Sequence, residues 1–386
     1  MREFADTIFR ANSSYQLVLL DRLSHIERKM IGGLEDADDL YGVLRPCQGS
    51  QLELRSASRD TALLLLTLKD PGPIPEYLRA DLGANFSSVI TKLVLDEVLE
   101  VQHGGSFVSG VNARNLVLAS TTERECGRIA ELSIEALQYG QALEGLTAQD
   151  LALRLYFYGR KPVSSLWLRR LASEESIRRY LGLIVDGAAQ VVLDTSWTEV
   201  GNQDERSYWR MWHPRRGGSG SKTAGYKLYV SVDCASLPDV LPAVAESLAY
   251  ARGVRGFKIG RDVFGLCRPD NFVAYFSRLE DLRIAASRIE SRLAGCKVQG
   301  VPFTAEVTRD GMMSWGIDPP PECQSPQGRS WRFWVVDRLA QYLLAAKAAD
   351  VAEPWRFALD RLSVDGIDTN TWVPMSRIWN HSMAIG

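Results

Sequence analysis

Past residue 225 the chain settles into short apolar runs of strand length around a helical stretch, and two of those runs carry a lysine. Tyr226 to Val232 alternates as a half-buried strand does, and Pro238 to Arg252 has helical spacing. Gly256 to Gly260 and Phe272 to Ser277 read as two further strands, and Leu279 to Leu293 as a second helix, a β-α-β periodicity. Residues two apart on a strand share a face, so Lys227 and Tyr229 point the same way. Lys258 stands between Phe257 and Ile259, where it must be buried, paired or turned to a polar cleft. Arg268 and Tyr275 lie just before and within the next strand. Folding these strands side by side gathers cationic and phenolic groups, which a purely structural core does not do.

Burial of Lys258 near Lys227, Arg261 and Arg268 would lower its pKa and make it a usable base. The surrounding charge supports a ligand of opposite sign. Lysines and arginines stand at 206, 210, 215, 216, 222, 227, 252, 255, 258, 261 and 268, against acids at only 233, 239, 246 and 262. A local excess of this kind suits a phosphorylated or acidic ligand; for Arg215 and Arg216 a solvated basic face is the plainer expectation. The whole chain balances 45 Lys and Arg against 47 Asp and Glu, which argues against a general nucleic-acid binder. The stretch Tyr208 to Lys222 mixes Trp209, Trp212 and His213 with arginines in a glycine-rich loop, but one loop is thin support for single-strand binding.

At 386 residues the chain has room for two or three domains. The N-terminal third reads as mostly helical, with helices at Leu17 to Met30 and Val89 to Val101, followed by a hairpin around His103, Gly104 and Gly105. That order suits a winged-helix-like or peptide-docking unit, or a helical cap. Ala62 to Leu68 is a short buried helix or strand. Residues 123 to 185 are helical, with Cys126 to Tyr139 and Leu166 to Leu183 clearest, and Tyr156, Phe157 and Tyr158 between them as core aromatics. Gly187 to Thr195 reads as a buried strand and Trp331 to Ala348 as a last helix. The expected class is α+β: a docking domain over 1–120, a helical connector over 121–185 and a mixed α/β domain over 186–386.

Several chemistries lack support. Cys47, Cys126, Cys234, Cys267, Cys296 and Cys323 form no CxxC pair and read as reduced thiols. His25, His103, His213 and His381 have no metal-ligand spacing, so no metal is expected. No GxSxG elbow, Walker loop or dinucleotide fingerprint is present. No apolar run is long enough for a membrane span, and MREFADTIFR lacks a signal-peptide core, so the expectation is a cytoplasmic protein without membrane partners.

The series Y-K-L-Y-V-S-V, G-F-K-I-G-R-D and R-P-D-N-F-V-A-Y-F resembles the Hop-A class of type III secretion effectors, whose relatives serve as lyase subunits in class V lanthipeptide and thioamitide biosynthesis. It is similar, more distantly, to phosphothreonine lyases and to the lyase domains of class III and IV lanthipeptide synthetases. The likeness spans roughly residues 150 to 350, and V-P-F-T-A-E-V shares in it, although the glycine-rich continuation is replaced by R-D-G-M-M-S-W-G.

The resemblance implies β-elimination of phosphate from phosphoserine or phosphothreonine in a ribosomal precursor peptide, leaving dehydroalanine or dehydrobutyrine. It makes Lys258 the base, Lys227 and Arg268 phosphate ligands with Arg261 beside them, and Tyr275 a neighbour of the substrate backbone. Tyr229 takes the slot of a histidine acid in the phosphothreonine lyases, a role open to a tyrosine whose pKa cations lower; His213 is the alternative acid. Of Arg329, Arg332 and Arg338, Arg332 is the best match for a further phosphate-binding arginine. Such an elimination needs no cofactor. Since nothing in the chain suits ATP, a separate kinase subunit must phosphorylate the peptide. The alternative is a non-catalytic effector or peptide-binding protein that keeps the fold and its cationic cleft.

Overall fold

The computed structural model describes residues 4, 6–31, 39–50, 52–118, 126–200, 208–215, 225–319 and 330–375. The chain divides into two compact units: 1–123 with 321–328 and 342–365, and 124–320 with 329–341 and 366–386. Helices and antiparallel sheets together make the protein α+β, as expected.

The first unit holds two sheets where the sequence reading expected mostly helices. Strands β1 (Ile8–Ala11), β2 (Tyr15–Leu19), β3 (Leu40–Pro46), β4 (Arg55–Ser58), β5 (Gly72–Pro73), β6 (Leu99–His103) and β7 (Ser106–Val108) form a sheet of order β5-β1-β6-β7 and another of order β2-β3-β4. Leu17 to Met30 is therefore no single helix. Its first three residues end β2, a 3₁₀ turn follows over Leu20–Arg22, and an α-helix forms only over His25–Ile31. Val89 to Val101 likewise splits, the helix Phe86–Leu95 ending four residues before β6. The hairpin falls where expected: Gly104 and Gly105 both take positive φ (55° and 83°), which closes a two-residue turn. Its first strand also pairs with β1, so it is not a free wing. Phe9, Leu44, Leu64, Ile90, Val94 and Leu99 form the core. Arg361, 3% exposed, is held there by Asp96 and Asp365.

The second unit is built on β8 (Trp197–Glu199), β9 (Trp209–Pro214), β10 (Tyr226–Val230), β11 (Val254–Gly260), β12 (Phe272–Phe276), β13 (Ala305–Glu306) and β14 (Met313–Ile317), in the order β13-β14-β10-β12-β11-β9-β8. Every neighbouring pair is antiparallel. A short ribbon of β15 (Ile367–Asp368) and β16 (Val373–Pro374) stands apart. One sheet face is largely apolar, with Leu228, Val230, Phe257, Ile259, Phe272, Ala274 and Phe276 fully buried and Arg210, across from Ile259, as its charged exception near the edge. Phe257 stacks between Trp212 and Phe272, both with centroids 5.1 Å away, and meets Trp197 edge-on at 4.8 Å. Helices Ala188–Ser196, Leu237–Ala249 and Leu279–Glu290 lie against one another and cover this side.

Two expected boundaries move. Gly187 to Thr195 is helical rather than a strand, because its buried positions, Ala189 and Leu193, are four apart and line one helix face. Leu166 to Leu183 breaks into Ser165–Arg170 and Glu174–Tyr180, the second begun by a Ser173–Ser176 capping box. No described helix is long and apolar enough to cross a membrane.

Candidate active site

The opposite sheet face carries the polar residues. Register places Lys258 across from Val273 and Met211, Val273 across from Tyr229, and Lys227 between Tyr275 and Gly316. Cross-strand partners share a face, so Lys227, Tyr229, Lys258 and Tyr275 all project to this side. Trp209 projects there too, since the stretch read as a loop contains strand β9. Gly316 leaves room for the Trp331 ring, which would lie 2.7 Å from a Cβ at that position. Trp331 donates through Nε1 to the Phe303 carbonyl (2.9 Å) and so seats the start of its helix. The next residue, Arg332, is thereby turned inward and is 1% exposed.

Around Lys258 the contacts are specific. Its Nζ lies 4.1 Å above the Trp209 ring and 5.7 Å from the Tyr275 ring. The Arg268 guanidinium lies 5.1 Å from the same Trp209 ring, so the indole is flanked by two cations. Arg268 grips Asp270 through two hydrogen bonds (2.8 and 2.9 Å) and donates to the Tyr156 hydroxyl (3.2 Å). Arg332 reaches the same carboxylate at 3.1 Å and donates to the carbonyls of Tyr156 (2.8 Å) and Pro302 (3.3 Å). Lys227 is paired with Asp318. Lys258 has no carboxylate within ion-pair distance among the described residues.

These environments set the proton affinities. Burial lowers the Lys258 pKa to about 8, and the charges of Lys227 and Arg268 act in the same direction against a smaller pull from Asp270 and Asp318. Burial pushes Asp270 up, but Arg332 and Arg268 outweigh it and hold the carboxylate at about 2. Burial raises both Tyr229 and Tyr275, Tyr229 well above the ordinary tyrosine value. The expectation that cations lower the Tyr229 pKa is thus corrected: Arg332 pulls that way, but loss of water dominates. Tyr229 therefore stays protonated near neutral pH.

The sheet thus brings together five candidates, Lys227, Tyr229, Lys258, Arg268 and Tyr275, and Arg332 joins through Asp270. Two others lie elsewhere. Arg261 follows β11 on the apolar-face side, where its guanidinium meets Glu174 (3.3 Å), which also pairs with the 7%-exposed Arg210. Facing alternates along a strand, so Arg261 sits across the sheet from Lys258. His213 is exposed near the edge of the sheet, in a strand and not a loop, and its Nδ1 donates to the Arg255 carbonyl (2.9 Å). Arg206, Arg216, Lys222 and Arg329 lie outside the described residues.

Four members, Tyr156, Trp209, Asp270 and Asp318, were not singled out from sequence as site residues. Tyr156, read as core, closes the arginine–carboxylate network from the helix Ala148–Tyr156. Asp270 stood in the R-P-D motif, and its nearness to Arg268 was the available signal. Clefts of about 640 Å³ around Phe264 and Ile177 and about 670 Å³ along β2 open elsewhere. The cluster is identified by its chemistry and not by its volume.

An antiparallel sheet with a cationic, tyrosine-lined face under a helix is the class that fold and site define. No protein-family model matches the sequence, and no curated protein matches it. Among solved structures it is similar to the effector protein from Pseudomonas syringae pv. tomato strain DC3000, at 10% identity over 64% of this chain and 99% of that one, with a TM-score of 0.43. It is also similar to the effector from Pseudomonas syringae pv. syringae strain 61, at 12% identity over 65% and 99% and a TM-score of 0.42. The type III effector/phosphothreonine lyase OspF from Shigella flexneri matches at 13% identity over 50% and 99%, with a TM-score of 0.30.

Proposed function

We propose that this protein is a carbon–oxygen lyase that eliminates phosphate from phosphoserine or phosphothreonine in a ribosomal precursor peptide during class V lanthipeptide or thioamitide maturation. A separate kinase supplies the phosphorylated peptide, and the elimination itself uses no cofactor. The observation that carries this reading is Lys258: a half-buried amine with a pKa of about 8, without a carboxylate partner among the described residues and set among cations.

Four cations (Lys227, Lys258, Arg268, Arg332) face two carboxylates (Asp270, Asp318), which leaves two positive charges while Lys258 is protonated. With Lys258 neutral, as a base must be, one positive charge remains, still of the sign that suits an anionic phosphate. In the reaction, neutral Lys258 takes the proton from the substrate Cα. The released electron pair forms the Cα–Cβ double bond as the Cβ–O bond breaks, and phosphate departs toward Lys227 and Arg268. Tyr229, held protonated by burial, is the donor for the departing oxygen.

Mass spectrometry of phosphoserine and phosphothreonine peptides tests this reading. The expected product has lost one phosphoric acid and adds a thiol at the new double bond. Lys258→Ala should slow its formation by about 10²–10⁴-fold. An unchanged phosphopeptide, or one returned to serine or threonine, would rule the lyase out and leave a binding protein or a phosphatase.

A further inference from the structure

Strand β2 ends its sheet, and no strand among the described residues pairs with its outer side. Register identifies which backbone groups face outward. Cys47 N–H donates to the Ser14 carbonyl (2.8 Å), so in an antiparallel ladder β3 takes the backbone groups of Gln16 and Val18. Those of Leu17 and the N–H of Leu19 point away from the sheet, while the Leu19 carbonyl opens the 3₁₀ turn Leu20–Arg22. A groove of about 670 Å³ follows β2 over its whole length, bounded on the far side by Leu65, Leu66 and Lys69. Five residues of strand span about 16 Å, the reach of an extended peptide.

The groove's lining sets the chemistry of its occupant. Leu19, Tyr41 and Leu66 line it while 37%, 39% and 44% exposed, offering apolar seats. Its charged lining residues are Arg22, Arg45 and Lys69, with no carboxylate among them. Arg45 is engaged by Glu27 (2.6 Å), which leaves Arg22 and Lys69 to meet a ligand. An unpaired edge this apolar is normally blunted or covered.

We propose that this groove binds an extended peptide segment of alternating apolar and acidic residues, added to β2 as a further strand. Main-chain hydrogen bonds to Leu17 and Leu19 provide the grip, and the cationic rim selects acidic over basic sequences.

The test selects displayed random dodecapeptides on the full-length chain. Enriched sequences should alternate apolar and acidic residues, and a synthetic binder should slow amide exchange at Leu17 and Leu19. Leu19 already has φ of −69°, so Leu19→Pro removes an outward N–H while fitting the existing backbone, and should weaken binding at least tenfold. Arg22→Glu with Lys69→Glu, both at exposed positions, should do the same and carries the decision if the proline variant does not fold. Enrichment of helical or basic peptides, protection away from β2, unchanged affinity in a folded Leu19→Pro chain, or no enrichment overturns the proposal.

Discussion

At the residue scale, Lys258 sets stability against reactivity. Below about pH 8 it is charged in both folded and unfolded chains, and the cost of burying that charge is fully present. Between about 8 and the ordinary value of 10.5, the folded chain has shed a proton that the unfolded chain still binds, so stability rises with pH. Lys258→Met keeps the volume and removes the charge. It should raise stability by about 1–3 kcal/mol at pH 7 by thermal or urea unfolding, while slowing elimination by about 10²–10⁴-fold as Lys258→Ala does. For the native chain, kcat/KM should climb toward pH 8 and level off, since this ratio reports the free enzyme. A profile flat from pH 6 to 9 would remove Lys258 as the base. Asp270 acts on the same group. Asp270→Asn leaves Arg268 and Arg332 without their anion and should cost about 3–5 kcal/mol. It should also move the kcat/KM midpoint to lower pH, because Asp270 raises the Lys258 pKa. A purely structural carboxylate would change the melting temperature and leave the midpoint alone. Lys258 was legible because a charge inside Gly-Phe-Lys-Ile-Gly demands an explanation. Tyr156 was not, because an aromatic run looks the same whether its hydroxyl meets solvent, apolar neighbours or an arginine.

At the element scale, three central strands of the second unit, β10, β11 and β12, were legible to within two residues of their ends from alternation, whereas β9 was read as a loop and β8, β13 and β14 were not read as strands. Errors arose where β-branched or apolar residues met a helical period. The Val-Val pair within Gly187 to Thr195 suggested a strand, yet Ala189 and Leu193 bury one helix face. In Leu17 to Met30 a short strand, a turn of 3₁₀-helix and a helix follow one another so closely that their periods blur into one. Gly260 shows how tightly β11 is fixed. A Cβ there would lie 2.6 Å from the Leu266 nitrogen and 2.7 Å from the Gly265 carbonyl oxygen, both backbone atoms that cannot rotate away. Gly260→Ala should therefore lower stability by about 1–3 kcal/mol and, by shifting Lys258 two residues before it, reduce turnover as well. A variant with native melting temperature and turnover would show that this turn yields freely.

At the scale of the whole molecule, periodicity gave the order of elements but not their adjacency. The helix Leu237–Ala249 links β10 to β11, which run parallel, as a β-α-β reading expects. The later strand β12 then inserts between them and makes both contacts antiparallel. Nothing local in the chain encodes that insertion, because strand adjacency depends on pairing between segments distant in sequence. The division into units was equally hidden, since both draw on the C-terminal stretch. Trp331 and Arg332, 0% and 1% exposed, belong to the second unit, while Ala346, Phe357 and Val364 complete the core of the first. A chain ending at Asp318 deprives each unit of several large buried groups. Each such loss costs about 2–5 kcal/mol, against a total stability of about 5–15 kcal/mol for a domain. Arg55 and Asp96 also lose Arg361 from their ion-pair network. The truncated chain should therefore show no cooperative melting by circular dichroism and fast amide exchange in β6 and β12 alike. A sharp transition retained by either unit would mean that its fold is specified before residue 319.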